Sequence, residues 1–310
     1  MSSIAATADA ASTPAPGRPI EIEEWSNLRL IHPTSRALVA ILIPTGISPN
    51  AVSALGAVMA AFAAASFVLL PRPASALVGL VFLFGWHVFD GADGDLARRT
   101  GRASTNGELV DGLCDHLGQA AIYLAFALML SDSLGIWAYV LPIASGGSRA
   151  VQASAYEGCR RNYRRWVYGA RWIRHTLTAP DVAAGTGLER LKVRLGLAYV
   201  AVSGLVSADD RALEAAMGKA AAGDPETAAA ARQVYRQRML PLVKRASVLS
   251  ANYRSLAAFL SVLVGYPLAF VLYELVALNL ALVWLVAAEG RANRDVVQTL
   301  AGLDAAPEAA

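Results

Sequence analysis

Asp90-Gly91-Ala92-Asp93-Gly94-Asp95-Leu96-Ala97-Arg98, eight further residues, and Gly107-Glu108-Leu109-Val110-Asp111-Gly112-Leu113-Cys114-Asp115 form the stretch on which the chain's architecture turns. Apolar sequence flanks it: Ala74 to Phe89 runs into it, and the second half of Gly107 to Leu130 leads away. Asp90 and Asp93 stand three apart, and Asp111 and Asp115 four apart, so on two helices each pair shares a face. Gly94 and Ala97 continue the first face, and Gly107 precedes Asp111 by one turn. The eight-residue connection suits two antiparallel helices lying side by side. Asp95 and Glu108 fall off the shared faces and read as solvated charges.

Four carboxylates converging at the edge of apolar helices repel one another, and ionisable groups in such segments are expensive and usually functional. A divalent cation resolves the repulsion. All-oxygen ligation favours Mg²⁺, Mn²⁺ or Ca²⁺ over zinc, and Mg²⁺ tends to keep substrate phosphates as ligands. Small residues beside the acids let a ligand approach the backbone. Arg98 offers a bidentate fork for phosphate. Cys114 and Cys159 have neither metal-ligand spacing nor a disulfide framework and read as packing residues.

The rest of the chain is apolar to match. Of 310 residues 55% are hydrophobic and 16% charged, against about 45–50% and about 25% in an ordinary soluble domain. A net charge of +3 does not point to nucleic acid. A membrane span takes about 20 mainly apolar residues. Six segments approach this: Asn50–Leu70, Ala74–Phe89, Gly107–Leu130, a fourth from Gly135 through Gly147, Arg149 and Gln152 towards Glu157, then Leu256–Phe270 and Val271–Ala288, with a Gly265-Tyr266-Pro267 turn between the last two.

Lys and Arg near span ends set the expected orientation. Arg98, Arg99 and Arg102 lie between spans two and three. Arg160, Arg161, Arg164, Arg165, Arg171 and Arg174 follow span four, and Arg291 and Arg294 follow span six. The opposite loops hold only Arg72. Both termini, the acidic stretch and the basic segment are therefore expected in the cytoplasm. Met1 to Arg18 lacks a basic start and an apolar run and reads as a disordered tail, not a secretory signal.

The expected fold is an all-α integral membrane protein with six transmembrane helices. An interfacial amphipathic helix over Ser35–Ile43 precedes them. The expected divisions are a tail (1–18), an interfacial segment (19–49), four spans carrying the acidic motif (50–157), a helical cytoplasmic insertion (158–249), two spans (250–290) and a cytoplasmic tail (291–310). Within the insertion Leu188–Leu205 reads as a surface helix, since Glu189, Arg190, Lys192 and Arg194 crowd its start. Trp25, His32-Pro33 and Trp166 read as interfacial anchors.

The acidic stretch resembles the signature of the CDP-alcohol phosphotransferase family, Asp-x2-Asp-Gly-x2-Ala-Arg-x8-Gly-x3-Asp-x3-Asp, at every fixed position. Thr45-Gly46-Ile47-Ser48-Pro49-Asn50-Ala51-Val52-Ser53 is similar to the segment leading into that family's first span. The resemblance covers roughly residues 30–157 and 250–290; the segment 160–248 is longer than in the family's smaller members. It implies transfer of a phosphatidyl or related phosphoryl group from a CDP-linked lipid to an alcohol, with release of CMP. Asp90, Asp93, Asp111 and Asp115 would hold one or two Mg²⁺ or Mn²⁺ ions on the donor pyrophosphate, and Asp115 would also be the general base. Gly94, Ala97, Arg98 and Gly107 would shape the nucleotide and phosphate pocket.

Arg149 in span four and Arg254 at the start of span five, with Lys244 and Arg245 just before it, are candidate ligands for an anionic acceptor such as glycerol 3-phosphate or an inositol phosphate. His116, beside the proposed base, is left without a role. Expected partners are the CDP-linked donor, the small alcohol and membrane lipids, with a homodimer allowed and nucleic acid not among them. The expected location is the inner membrane, with the site facing the cytoplasm. Two other classes compete. A transporter would want its acids near the midplane and repeated across two halves, and the sequence has neither. A non-catalytic scaffold would tolerate loss of Asp115.

Overall fold

The structure, a computed structural model, describes residues 19–170 and 211–305. The tail 1–18, Arg171, Arg174, the Leu188–Leu205 segment and residues 306–310 lie outside the described residues. Among the described residues every regular element is helical. After a 3₁₀ turn at Ile20–Ile22 and a π-helical turn at Asn27–Ile31, α1 spans His32–Leu42. Then come α2 (Pro49–Leu69), α3 (Ala74–Arg99), α4 (Thr105–Leu134) and α5 (Trp137–Tyr168). Later in the chain follow α6 (Arg211–Ala222), α7 (Pro225–Ala246), α8 (Ala251–Val264), α9 (Leu268–Leu272) and α10 (Leu278–Ala305), with a π-helical turn at Tyr273–Ala277 joining the last two.

Local chemistry sets the helix ends. Ser48 caps α2 by accepting from the Ala51 N–H at 3.2 Å, and Pro49 occupies the first helical position, where its missing N–H costs nothing. Ser104 caps α4 through the Gly107 N–H at 3.1 Å, so the glycine of the acidic motif also starts its helix. Gly265 closes α8 at φ 75°, and a β-carbon there would collide with the Arg72 guanidinium. The chain therefore turns at 265–267 and helix resumes at Leu268, short of the expected Phe270/Val271 division.

Among the described residues five helices are long and apolar enough to cross a membrane: Pro49–Leu69, Ala74–Arg99, Asn106–Leu134, Pro225–Val264 and Leu268–Gly302. Only 28–44% of each apolar window is buried, and Phe62, Val81, Leu124, Val264, Leu280 and Val283 stand in the open. Apolar surface on this scale is unusual for a soluble monomer and suits lipid. The expected fourth span lies in α5, whose 32 residues reach about 48 Å at 1.5 Å each. Its Ser145, Ser148, Arg149, Gln152 and Ser154 make it too polar to count as apolar by itself. Pro225–Val264 runs from the insertion's last helix into the next span through a 3₁₀ turn at Ser247–Leu249, so the insertion feeds that span directly.

α2 is the central post. Its Ala60, Ala63 and Ala64 are buried against α3 and α4, where Phe67, Leu83, Trp86, Ile122 and Phe126 fill the core. α3 and α4 each pack along α2 and barely approach one another backbone to backbone. The two acidic helices thus meet through side chains and not backbone to backbone, with α2 packed beneath both. α1 packs across α3: Ser35 donates to the Val88 carbonyl at 2.9 Å and Val39 is buried with Ala92 and Leu96. Its other side leaves Ile41 and Ile43 exposed.

A second core joins the end of α5 to α6, α7 and α10 through Tyr163, Tyr235, Met239, Leu285 and Val296. The described part of the insertion is built into the helix bundle. Trp166 packs against this core beneath Arg165, 4.3 Å from its ring centre, and so is not a free interfacial anchor, whereas Trp25 is exposed. The acidic N-terminal segment straps the second core. Glu21 accepts from Tyr163 and Tyr168 at 2.5 and 2.7 Å and pairs with Arg236. Glu23 pairs with Arg160 at 3.2 Å, and Glu24 accepts from Tyr156, Ser250 and Asn252. Burial tends to raise the Glu21 carboxyl's pKa, but the hydrogen bonds from Tyr163, Tyr168 and Arg236 outweigh it and hold the group below its usual value.

Candidate active site

The acidic cleft is built from three helices. α3 supplies Asp90, exposed at its mouth, and Asp93, which is buried. α4 supplies Asp111 and Asp115, both half-buried. The Asp93 and Asp111 side chains meet directly across the cleft. α2 contributes Ser53, whose hydroxyl donates to Asp93 Oδ2. Trp86, one turn before Asp90 on α3, donates its indole N–H to Asp115 Oδ1 at 3.1 Å and stacks on His87. Ser53 and Trp86 had no signal in the acidic pattern, because their role depends on where α2 and α3 lie relative to α4.

The small residues keep the cleft open. A β-carbon at Gly94 would stand 3.2 Å from the Arg98 guanidinium, and one at Gly107 would press on Ser104 and Asn50 at 3.3 and 3.6 Å. Gly112 faces nothing within 4 Å. Arg98 is largely exposed at the C-terminal end of α3, 3.9 Å from Asp95, which also pairs with Arg99 at 2.9 Å. His116 donates to the Gly112 carbonyl at 2.5 Å, a contact within its own helix.

Among the described residues no three His, Cys, Asp or Glu side chains close tightly enough to hold a metal unaided. The chemistry nevertheless fits a hard divalent cation. Asp93 and Asp111 can share a proton or a cation between them, the carboxylates offer oxygen ligands of the kind such a cation prefers, and Gly112 leaves open space beside Asp111.

Arg149 of α5 lies close enough to influence Asp115, and it borders a narrow cavity of about 20 Å³ with Trp86, Gln119, Tyr123, Arg254 and Ser255. Among the described residues Arg149 has no hydrogen-bonded or ion-pair partner. Arg254 differs. It is 2% exposed, donates from Nη1 to Glu274 Oε1 at 2.9 Å and from Nη2 to Gln152 Oε1 at 2.7 Å, and also reaches the Leu249 carbonyl. Tyr123 donates to the other Glu274 oxygen, while Gln152 donates to Asn279 Oδ1 at 2.9 Å. Arg149 and Arg254 thus border one cavity, but the donors of Arg254 are already engaged. Glu274 was missed in the sequence; a lone acid in the apolar run Leu268–Ala288 was the available signal.

A groove of about 550 Å³ runs beside the site between the N-terminal segment, α3 and α8. Its walls are mostly apolar, with Leu30, Ile31, Leu80, Phe84 and Leu256, while Glu24, Lys244, Asn252 and His87 supply its polar end. His87 is hydrogen-bonded to Ser255 at 2.8 Å, which ties α3 to α8 there.

A bundle of long apolar helices that brings four aspartates of α3 and α4 together beside small residues defines a membrane-type helical protein with an acidic centre. A family model for CDP-alcohol phosphatidyltransferase matches residues 46–218, more than half of the chain and including the whole acidic motif, and the chain belongs to that family. It is accordingly a transferase of substituted phosphate groups, acting between a CDP-alcohol and an acceptor alcohol. No curated protein and no solved structure matches the chain.

Proposed function

We propose that the protein is an integral membrane enzyme of phospholipid synthesis that transfers a phosphatidyl group from a CDP-linked lipid to a phosphorylated alcohol, releasing CMP. The carrying observation is the direct meeting of Asp93 and Asp111 across a cleft that also holds Asp115. Two acids meeting in a cluster of four carboxylates favour a bound cation and, with it, a phosphate ligand. Asp90, Asp93, Asp111 and Asp115 would hold Mg²⁺ or Mn²⁺, which when bound neutralises the charge developing on the transferred phosphate.

The protein's own groups do the rest. Gly94, Ala97, Arg98 and Gly107 form the wall against which the donor's cytidine and phosphates lie, with Arg98 offering its fork to a phosphate. The donor's acyl chains follow the apolar groove along Leu80, Phe84 and Leu256. Asp115, oriented by the Trp86 indole, accepts the proton of the acceptor hydroxyl. That oxygen attacks the phosphorus on the lipid side, the bridging P–O bond breaks, and CMP leaves. Arg149 takes the acceptor's phosphate at the mouth of the narrow cavity, and Arg254, held by Glu274, adds positive potential behind it.

This reading places α5 across the membrane as a sixth span. Its polar face is covered by Glu274, Asn279 and Arg254 while the other five spans meet lipid. The arginines that follow the apolar stretches of α3, α5 and α10 favour a cytoplasmic cleft, in an inner membrane. The test is to supply purified protein with CDP-linked diacylglycerol and a panel of alcohols, and to identify the lipid product by mass spectrometry. A product with glycerol 3-phosphate or an inositol phosphate supports the reading. A product formed only with a neutral alcohol such as serine would overturn the acceptor assignment.

A further inference from the structure

A recess of about 490 Å³ opens between α7 and α10. Arg238 and Arg245 line it from α7, and Trp284, Arg291, Arg294 and Asp295 line it from α10. The residues fall at helical spacing on both sides: 238, 242 and 245 on one helix, and 284, 288, 291, 295 and 298 on the other. Two faces are therefore turned toward one space. Arg238 has Asp295 at 3.9 Å, while Arg245, Arg291 and Arg294 have no ion-pair partner among the described residues. Four arginines and one aspartate line the recess, an excess of positive charge that favours an anion there.

The recess also sits at a defined level of α10. Leu280, Val283 and Trp284 are exposed and apolar just before it, and the helix turns polar from Glu289 onward. An exposed tryptophan followed by arginines is the arrangement expected where acyl chains give way to headgroups. Guanidinium forks match phosphate oxygens in pairs. The catalytic carboxylates belong to α3 and α4, whereas α10 packs on α5, α6 and α7, so the recess stands apart from the acidic cleft.

We propose that this recess is a second binding site, taking a phosphate-bearing anion at the membrane surface. Two sources share that chemistry: the headgroup of an anionic lipid, and a free phosphate in solution.

The experiment uses the full-length protein in a non-ionic detergent. Binding of short-chain phosphatidylglycerol, short-chain phosphatidylcholine and inorganic pyrophosphate is measured by calorimetry. Phosphatidylglycerol is expected to bind saturably and phosphatidylcholine not to. Losing two surface arginines should weaken binding by about thirtyfold in R291Q/R294Q, while the charge-matched R36Q/R232Q stays at the wild-type value. Arg245→Gln, on the opposite helix, should weaken it by about fivefold and serves as the test should the double variant not fold. Pyrophosphate that binds alone and displaces the lipid identifies a free-phosphate site; lipid binding that pyrophosphate does not disturb identifies a headgroup site. Equal affinities for wild type, R291Q/R294Q and Arg245→Gln would overturn the proposal, as would phosphatidylcholine binding as tightly as phosphatidylglycerol.

Discussion

Two groups of charged side chains lie among the apolar helices, and they balance their charge in opposite ways. In the acidic cleft Asp93 and Asp111 meet carboxylate to carboxylate, with Ser53, the Gly94 backbone and Trp86 donating nearby. In the network around Glu274 an arginine, a tyrosine, a glutamine and an asparagine satisfy one another. On the proposed reading the first group takes a ligand, whereas the second is satisfied by its own side chains. Burial and charge are common to both, so neither marks a reactive site by itself; the missing counter-charge does.

The contrast breaks most sharply at Asp115. Asp115→Asn keeps the shape and the Trp86 contact but removes the basic oxygen. Turnover should fall by about 10²–10⁴-fold, the usual worth of a general base, with binding of the CDP-linked donor still measurable. Loss of donor binding equal to that in Asp90→Asn would make Asp115 a ligand first.

Arg254 should answer differently. Arg254→Ala leaves Glu274 buried and unpaired, a change that costs about 3–5 kcal/mol. Folded protein in the membrane should drop, and Arg254→Met combined with Glu274→Gln should recover much of it, since the charge is removed from both partners. Recovered folding with a raised acceptor KM would assign Arg254 a part in acceptor binding as well.

Arg149 shares the cavity with Arg254 but lacks its partner, so its loss should spare the fold. Arg149→Ala should raise the acceptor KM by about ten- to a hundredfold, the equivalent of a charge-assisted hydrogen bond. The donor KM should hardly move. Separate titration of the two substrates decides it.

The smallest effect lies outside both groups, in the N-terminal strap. The Glu21 carboxyl is held below its ordinary value of 4.5, so its folded pKa is the lower one and the ionised form stabilises the fold. That contribution is present above the unfolded value and disappears as pH falls through the folded one. Thermal unfolding of wild type and Glu21→Gln should therefore differ by a constant amount near neutrality and converge as the pH falls below the ordinary value of 4.5. A gap that widens in acid would contradict the sign.

Much of this was legible in the sequence because the acidic motif is local: fixed spacing puts each aspartate pair on one helix face whatever the tertiary structure. The cleft itself was not. The short connection between α3 and α4 suggests close packing, and α2, with Ala60, Ala63 and Ala64 buried beneath both, spaces their backbones so that they meet only through side chains. Arg254 was visible as a charge near an apolar run, but its partner stands twenty residues on and across a turn, where no helical period connects them. The fourth span was hard for the same reason: Gln152 and Arg149 make α5 polar, and the residues covering that face come from α8 and the π-helical turn before α10. The last two spans divide at Pro267, because a proline suits the first turn of a new helix better than the interior of an old one.

The most direct test of a cation-dependent acidic cleft is CMP release from a CDP-linked lipid by the purified full-length protein, measured with and without chelator. Release should cease in excess chelator, return with Mg²⁺ or Mn²⁺, and be absent in Asp111→Asn under all three conditions. Full CMP release in excess chelator, or undiminished release by Asp111→Asn, would contradict it.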